Sequence, residues 1–349
     1  MPSQADWVAG LSPWPEEFGL GRMRALLAAL GDPQLAYPAV HVVGSNGKST
    51  ATLTIEAYLR AAGLSVGSTI SPHVRGFDER IRIDGDEADF ERAVERVRSL
   101  AEREGATQFE ALVAAALAEF AAREIDVAVV EAGLGGRHDA TNVLRTSVVL
   151  LTNVSLEHTD VLGSTREAIA AEKLAVVQAG SVVVLPDLEF APLAGPHVRV
   201  GGAKEAAEAH LGHMVEPLDD VRPPGRLEWR DRELRDGAHN LAGAEWLVAQ
   251  LPDEDFTVVA SILGDKDADA MLRQFARAGS RFVATTSSNT RALPAAELAR
   301  IAGPHFALVE AIDDPAAALA RAHELGEPVL VTGSLYRLAD LAAQERAPA

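Results

Sequence analysis

The 349-residue sequence contains no cysteine. That absence removes disulfides, thiolate catalysis and zinc–thiolate sites together. Basic charge is scarce as well: 32 Lys and Arg stand against 51 Asp and Glu, for a net charge of −19. No basic face is available to neutralise a phosphate backbone, so no nucleic-acid partner is expected. A surface of this sign favours solubility. Long apolar runs are missing too. No window reaches the roughly eighteen uninterrupted apolar residues of a membrane span, so no membrane partner is expected. The opening stretch "MPSQADWVAGLSPWPEEFGL" has no basic region followed by an apolar run. A signal peptide is therefore not expected, and the cytoplasm is the expected compartment. No fixed-period repeat and no low-complexity run occurs.

What is present is an apolar fraction of 48%, ample for packed cores. The length suits two domains at roughly 150 residues each. Apolar β-branched runs recur: "AVHVVG", "DVAVVEAG", "SVVLLTNVS" and "SVVVLPD" in the first half, "TVVASILG", "RFVATTSS" and "PVLVTGS" in the second. They are continuous rather than alternating, as strands covered on both faces of a parallel sheet should be. Alanine-rich amphipathic segments such as "FEALVAAALAEFAAREI" and "HNLAGAEWLVAQL" lie between them, so the expected architecture is α/β. Two prolines and a glycine in "DDVRPPGRLEW", Asp219 to Trp229, break any helix, and the joint is expected near Arg222 to Gly225. The tail "LADLAAQERAPA" reads as a last helix that frays.

Several strand ends carry polar residues. In "AVHVVGSNGKSTATLTI" a strand runs into a glycine-and-lysine turn and then a helix beginning near Ser49. The generic phosphate loop has four residues between its first glycine and the Gly-Lys pair. Here Gly44 is only three positions before Gly47, and Val42 holds the generic glycine's place. The amides of Ser45 to Lys48 would wrap a phosphate at a helix N-terminus, Lys48 would add a cation, and Ser49 or Thr50 would offer a hydroxyl to a metal. The plainer alternative is a connection in which Gly and Asn merely supply positive φ.

Glu131 ends another buried run, where ligands of open α/β sheets bind, and would hold Mg²⁺ directly or through water. The "GLGGR" after it allows close backbone approach, and Asp139 to Asn142 resemble a cap or turn. The alternative is a solvated strand end. A third run leads to Asn153, Glu157, His158 and Asp160, then to a helix capped by Ser164 or Thr165. In "RDGAHNLAGAEW", Asp236, His239 and Asn240 precede a helix, as site residues or as turn and capping residues. Asp265, Lys266 and Asp267 follow one more strand, as a loop or a charged rim.

With these blocks assembled, the sequence resembles the folylpolyglutamate synthase/dihydrofolate synthase family of the Mur ligase superfamily. The resemblance runs nearly end to end, through "GLGRMRALLAALGDPQLAYPAVHVVGSNGKST", "SPHVRGFDERIRIDG", "VAVVEAGLGGRHDATNV", "LEHTDVLGSTREAIAAEK", "PGRLEW", "DGAHN", "LGDKD", "NTRALPAAEL" and "VTGSLY". The short phosphate loop is that family's form, and "SPHVRGFDERIRIDG" is similar to its substrate-contacting loop.

The resemblance implies a P-loop-type, mostly parallel-sheet ATPase domain over residues 1–222 and a smaller Rossmann-like α/β domain over 226–349. It implies an ATP-dependent amide ligase with ATP and Mg²⁺, adding L-glutamate to a pterin acid (dihydropteroate, or a reduced folate) through an acyl phosphate. A phosphoryl step of this kind needs charge neutralisation and alignment rather than a protein nucleophile, which agrees with a chain lacking cysteine and any Ser-His-Asp pattern. Carried over by position, Gly44, Ser45, Asn46, Gly47, Lys48, Ser49 and Thr50 form the phosphate loop. Ser71, Glu131 and His158 hold the metal, with His158 resting on the resemblance alone because imidazole is not a favoured Mg²⁺ ligand. Lys173 matches a lysine that is carbamylated in the family. Arg226, Asp236 and His239 reach ATP and the acyl phosphate from the second domain, which would require closure and exclude water. A monomer is expected.

The sequence departs from the family at Ser45 and Ser49, commonly Thr and Gly, and over Leu188 to Val221, where the family usually has a longer segment with His-Gln and Asn-Ala pairs. Alternative readings are a Mur-type ligase for another carboxylic acid and a nucleotide-binding paralogue with weakened catalysis.

Overall fold

The seven apolar runs all become strands because each is buried on two faces. The computed structural model describes residues 3–219 and 221–346, so Asp220 of the expected joint and residues 347–349 of the expected frayed tail lie outside the described residues. The chain divides into two units, Met1–Pro72 with Phe77–Val221, and His73–Gly76 with Arg222–Ala349.

In the first unit the strands are β1 (Ala39–Val43), β2 (Val66–Thr69), β3 (Arg82–Ile83), β4 (Asp86–Glu87), β5 (Val127–Glu131), β6 (Thr146–Leu151), β7 (Val182–Leu185) and β8 (Val198–Val200). They form one sheet in the order β4-β3-β2-β5-β1-β6-β7-β8. The six strands from β2 to β8 pair in parallel, and the short β3–β4 ribbon adds antiparallel at one edge. β1 lies in the middle, with β5 on one side and β6 on the other, so the connections diverge there. In open α/β sheets that reversal leaves a crevice beyond the carboxyl ends of the strands.

Both faces of the sheet are covered. Ala39, Ala128 and Val130 pack on the helices Phe90–Glu104 and Gln108–Ala122. Val40, Val42, Val127 and Val129 pack on Ile55 and Leu59 of the helix Lys48–Ala61. The helix Gln108–Ala122 starts where Thr107 and Glu110 bond each other's backbone amides reciprocally, which satisfies two otherwise orphaned donors.

In the second unit the strands are β9 (Glu228–Arg230), β10 (Glu233–Arg235), β11 (Thr257–Ala260), β12 (Arg281–Ala284), β13 (Leu308–Ala311) and β14 (Val329–Thr332). Their order is β13-β12-β11-β14-β10-β9, parallel except for the β9–β10 hairpin. Val258, Ala260, Phe282 and Leu330 face Met271, Leu272 and Phe275 on one side. Val259, Val283, Val329 and Val331 face Ala318, Ala322 and Leu338 on the other. Of the tail, Leu335–Arg346 is helical. The architecture is the expected pairing of a mostly parallel sheet domain with a smaller Rossmann-like α/β domain.

Candidate functional site

The site is built at the carboxyl edge of β1, β5 and β6. The ladder continues past the strand ends: Ala132 N–H donates to the Val42 carbonyl, and Thr152 N–H to that of Val43. Gly44 follows at φ +146, and a Cβ there would fall 2.0 Å from Thr152 Oγ1. Only glycine fits that approach. Gly47 precedes the helix Lys48–Ala61, and no side chain hydrogen-bonds to cap it among the described residues. The amides of the first turn and the positive end of the helix dipole therefore face outward together, as an anion site requires.

The loop is less open than its sequence suggests. Ser45 N–H donates to the Asn153 carbonyl at 3.0 Å, and Asn46 N–H to Asn153 Oδ1 at 2.9 Å. Thr152 Oγ1 and Asn153 Nδ2 both donate to the Asn46 carbonyl, and Ser155 N–H to Ser45 Oγ. Of the four amides expected to wrap a phosphate, two are taken by the segment after β6. The anion-facing part shifts to Gly47 and the first helical turn, which includes Ser49 and Thr50. Ser49 is buried.

Two ammonium groups converge on the carbonyl of Gly44. Lys48 Nζ lies 3.1 Å from it, and Lys173 Nζ lies 2.9 Å from it. Lys173 comes from the helix Arg166–Leu174, whose N-terminus is capped by Thr165, the second of the two capping residues the sequence offered. Its Nζ also donates to Glu157 Oε1 at 3.1 Å, with both side chains nearly enclosed. Burial holds the Lys173 amine below its ordinary value, and Lys48 adds to this while Glu157 opposes it. Burial alone would raise the Glu157 carboxyl, but Lys173 and Lys48 outweigh it and hold it below the usual range. Glu157 and Asn153 thus organise the site. Sequence reasoning noted both residues and assigned neither a role; the available signal was their place after a buried strand, as with Glu131.

Glu131 ends β5 opposite Val42 of β1 and is buried, with Oε2 accepting the Ser71 N–H at 3.0 Å. The "GLGGR" turn then presses on the lysine's own backbone: a Cβ on Gly136 would sit 2.4 Å from the Lys173 carbonyl oxygen. Asp139 forms the expected turn, accepting from the Leu134 and Thr141 amides and from Thr141 Oγ1. Thr141 Oγ1 in turn lies 2.8 Å from His41 Nε2 on β1. Burial pushes the Asp139 carboxyl up and the His41 imidazole down to about 3, so His41 is neutral at ordinary pH.

Of the three expected metal residues, the structure joins Ser71 and Glu131. His158 is exposed on the loop after β6, at φ +47, where its carbonyl accepts from Val161 and Leu162. Among the described residues no group of three His, Asp or Glu gathers to hold a metal. A single buried carboxylate beside a hydroxyl-bearing residue still fits a hard divalent cation. Such ions use few protein ligands and fill the rest of their shell with water and phosphate oxygens.

In the second unit Asp236 follows β10 and accepts from Leu227 N–H at 3.0 Å and Ala238 N–H at 2.8 Å. Burial raises its carboxyl, and Arg226 opposes the rise. His239 Nδ1–H donates to the Gly237 carbonyl at 2.9 Å. Asn240 caps the helix Leu241–Gln250 and Asp267 the helix Ala268–Phe275. Lys266 pairs with Asp265 at 3.1 Å. The turn and capping roles open from sequence are thus present for Asp236 and Asn240.

Residues 42–191 match the Mur ligase middle domain, and residues 225–335 the Mur ligase glutamate ligase domain. The dihydrofolate synthase/folylpolyglutamate synthase of Mycobacterium tuberculosis is 32% identical, over 84% of this chain and 80% of that protein. The folylpolyglutamate synthase of Lacticaseibacillus casei is 31% identical, over 90% of this chain and 91% of that protein. E. coli FolC in complex with DHPP and ADP superposes with a TM-score of 0.88 at 26% identity, over 99% and 98% of the two chains. A bifunctional folylpolyglutamate synthase/dihydrofolate synthase with Mn, AMPPNP and L-glutamate bound gives a TM-score of 0.85 at 28% identity, again over 99% and 98%. A cradle of amides and ammonium groups at the edge of β1, joined to this likeness across both units, leads to one conclusion: the chain belongs to the folylpolyglutamate synthase/dihydrofolate synthase family.

Proposed function

We propose that this chain is an ATP-dependent ligase that joins L-glutamate to dihydropteroate or a reduced folate, working as a cytoplasmic monomer. No helix among the described residues is long and apolar enough to cross a membrane. The observation that carries the reading is the convergence of the Lys48 and Lys173 side chains on the Gly44 carbonyl beside an uncapped helix N-terminus. A triphosphate laid on Gly47 and the first turn would meet Lys48 at its outer phosphates.

The reaction proceeds in two displacements. A substrate carboxylate attacks the γ-phosphorus, giving an acyl phosphate and ADP. The amine of glutamate then attacks the acyl carbon, expels inorganic phosphate and loses a proton to form the amide. Charge neutralisation and alignment govern the first displacement. Lys48 supplies the cation, the first-turn amides orient the phosphates, and Ser49 or Thr50 offers a hydroxyl. Ser71, Glu131 and His158 would hold Mg²⁺, which when bound spreads the developing phosphate charge. Lys173 would carry a carbamate, its amine adding carbon dioxide with loss of a proton; the lowered basicity caused by burial favours the neutral amine this needs. Arg226, Asp236 and His239 would serve the nucleotide and the acyl phosphate.

The test is direct. Purified protein, MgATP and glutamate are incubated with dihydropteroate or tetrahydrofolate, and the products are weighed. One added glutamyl unit per ADP released is expected, and Lys48→Ala should lower turnover by about a hundredfold or more. Phosphate release indifferent to every pterin acid and to glutamate would overturn the reading.

A further inference from the structure

The loop after β6 is held by more than the phosphate loop. Asn153 takes the amides of Ser45 and Asn46, and Ser155 N–H donates to Ser45 Oγ at 3.0 Å. Val154 stands between the two residues that make these bonds. Its side chain is buried in one cluster with Leu162, Ile169 and Phe190, and its carbonyl accepts from Arg166 Nε at 3.2 Å.

Arg166 is exposed, yet every part of its guanidinium is engaged. Nη1 and Nη2 donate to Glu189 Oε1 and Oε2 at 2.6 and 2.8 Å, a bidentate fork. Cζ lies 5.4 Å from the centre of the buried Phe190 ring. A fork and an aromatic face together fix the plane of a guanidinium, which an ammonium cannot reproduce. The position is otherwise poor for a cation. Arg166 opens the helix Arg166–Leu174, where the dipole end is positive, and Glu189 offsets that. Glu189 and Phe190 belong to the stretch Leu188 to Val221, in which the sequence departs from the family.

We propose that Arg166 is a positioning residue for the phosphate loop. Seated on Glu189 and Phe190, it fixes Val154. Through Asn153 and Ser155 it holds Ser45 and Asn46 in the shape that leaves Gly47 and the first helical turn to a triphosphate. The inference rests on the reading of that turn as the nucleotide site and adds the residue that keeps it in order. A loop ordered before the ligand arrives spares the ligand the cost of ordering it. An exposed ion pair adds little to overall stability, so its loss should be read in nucleotide binding first.

The experiment titrates the full chain with the magnesium salt of AMPPNP by calorimetry. Arg166→Gln should weaken binding about fivefold, the scale of one exposed charge pair with its hydrogen bond, and Arg166→Lys nearly as much. Peptide 39–48 should exchange its amides faster in Arg166→Gln while the denaturant midpoint stays at its native value. In turnover the KM for ATP should rise about fivefold and the KM for the acid should hold. Because Arg166 acts through Asn153, Arg166→Gln and Asn153→Ala combined should weaken binding by less than the product of their separate effects. Glu189→Gln leaves the bond to Val154 in place and should weaken binding about twofold; it decides the matter where Arg166→Gln does not fold. Native affinity in both variants, a loss that tracks a falling denaturant midpoint, or fully multiplicative effects with Asn153→Ala would overturn the proposal and leave the ligase reading standing. A native chain that binds no nucleotide would overturn both.

Discussion

Glu157→Gln isolates the charge at the core of the site. The amide keeps the shape of the carboxylate and still accepts from Lys173, so only the charge is lost. Lys173 and Glu157 are 3% and 9% exposed at their side chains and meet at 3.1 Å. Removing one charge from a buried pair costs about 3–5 kcal/mol. A second route limits the figure. The variant can shed the Lys173 proton, and deprotonating an amine of ordinary pKa 10.5 at pH 7 costs about 4.8 kcal/mol. Burial has already lowered that basicity, so the true ceiling is lower. The two routes agree.

The pH dependence has a definite sign. In the native protein the Glu157 carboxyl is depressed below its ordinary value of 4.5, so its contribution is present above that range and is lost as pH falls through the folded value. The Lys173 amine is depressed too, so the folded state releases that proton before the unfolded chain does. Stability therefore rises with pH in the window just below 10.5. Without Glu157 the amine falls further, and the window reaches down towards neutrality.

The deficit of Glu157→Gln should be large at pH 7 and narrow by pH 9.5. Because two units need not unfold together, amide hydrogen exchange by peptide is the proper assay. Peptides spanning 39–48 and 166–174 should exchange about a hundredfold faster or more at pH 7, while 257–260 serves as an internal control. Exchange within threefold of the native protein, or a deficit unchanged at pH 9.5, would refute the reasoning.

Two further substitutions probe the frame around that charge. Gly44→Ala places a Cβ 2.0 Å from Thr152 Oγ1 at a positive φ, so it should cost about 2 kcal/mol or more. Calorimetric ATP affinity should fall with it and recover in part when Thr152→Ala is added. Thr141→Val removes the hydroxyl between His41 Nε2 and Asp139, at a cost of about 1–3 kcal/mol. Burial raises the Asp139 carboxyl, so folding favours its protonated form and that contribution is lost as pH rises. The Thr141→Val deficit in denaturant unfolding should therefore be larger at pH 7.5 than at pH 4.5.

What the sequence made legible follows from burial. β1, β5, β6, β7, β11, β12 and β14 read as apolar runs because helices cover both of their faces. β2 reads "VGST", β9 "EWR" and β10 "ELR", and none of these carries such a run. β10 shows why: Glu233 and Arg235 are buried yet paired with each other, a partnership that propensity cannot reveal. At the site, glycine spacing and strand ends located Gly44, Lys48 and Glu131. The bonds from Asn153 to Ser45 and Asn46 span more than a hundred residues, and they decide which amides remain for a ligand. No local pattern records them.

The acidity of the chain bears on how the site works. A net charge of −19 opposes any polyanion. Exposed charges act weakly beyond about 8–10 Å at physiological salt, whereas enclosed ones are screened far less. Lys173 is enclosed, Lys48 lies over the same carbonyl, and the helix dipole ends beside them. The only carboxylate bonded to Lys173 among the described residues is Glu157, and a carbamate on Lys173 would leave the positive excess facing a ligand to Lys48 and the helix dipole. Affinity for a triphosphate can therefore be set within a few ångströms of Gly44 while the outer surface stays acidic. Moving that excess to the surface would gain long-range attraction and lose it again to salt. Enclosure is what lets so few charges suffice, and it is also what lowers the basicity of Lys173.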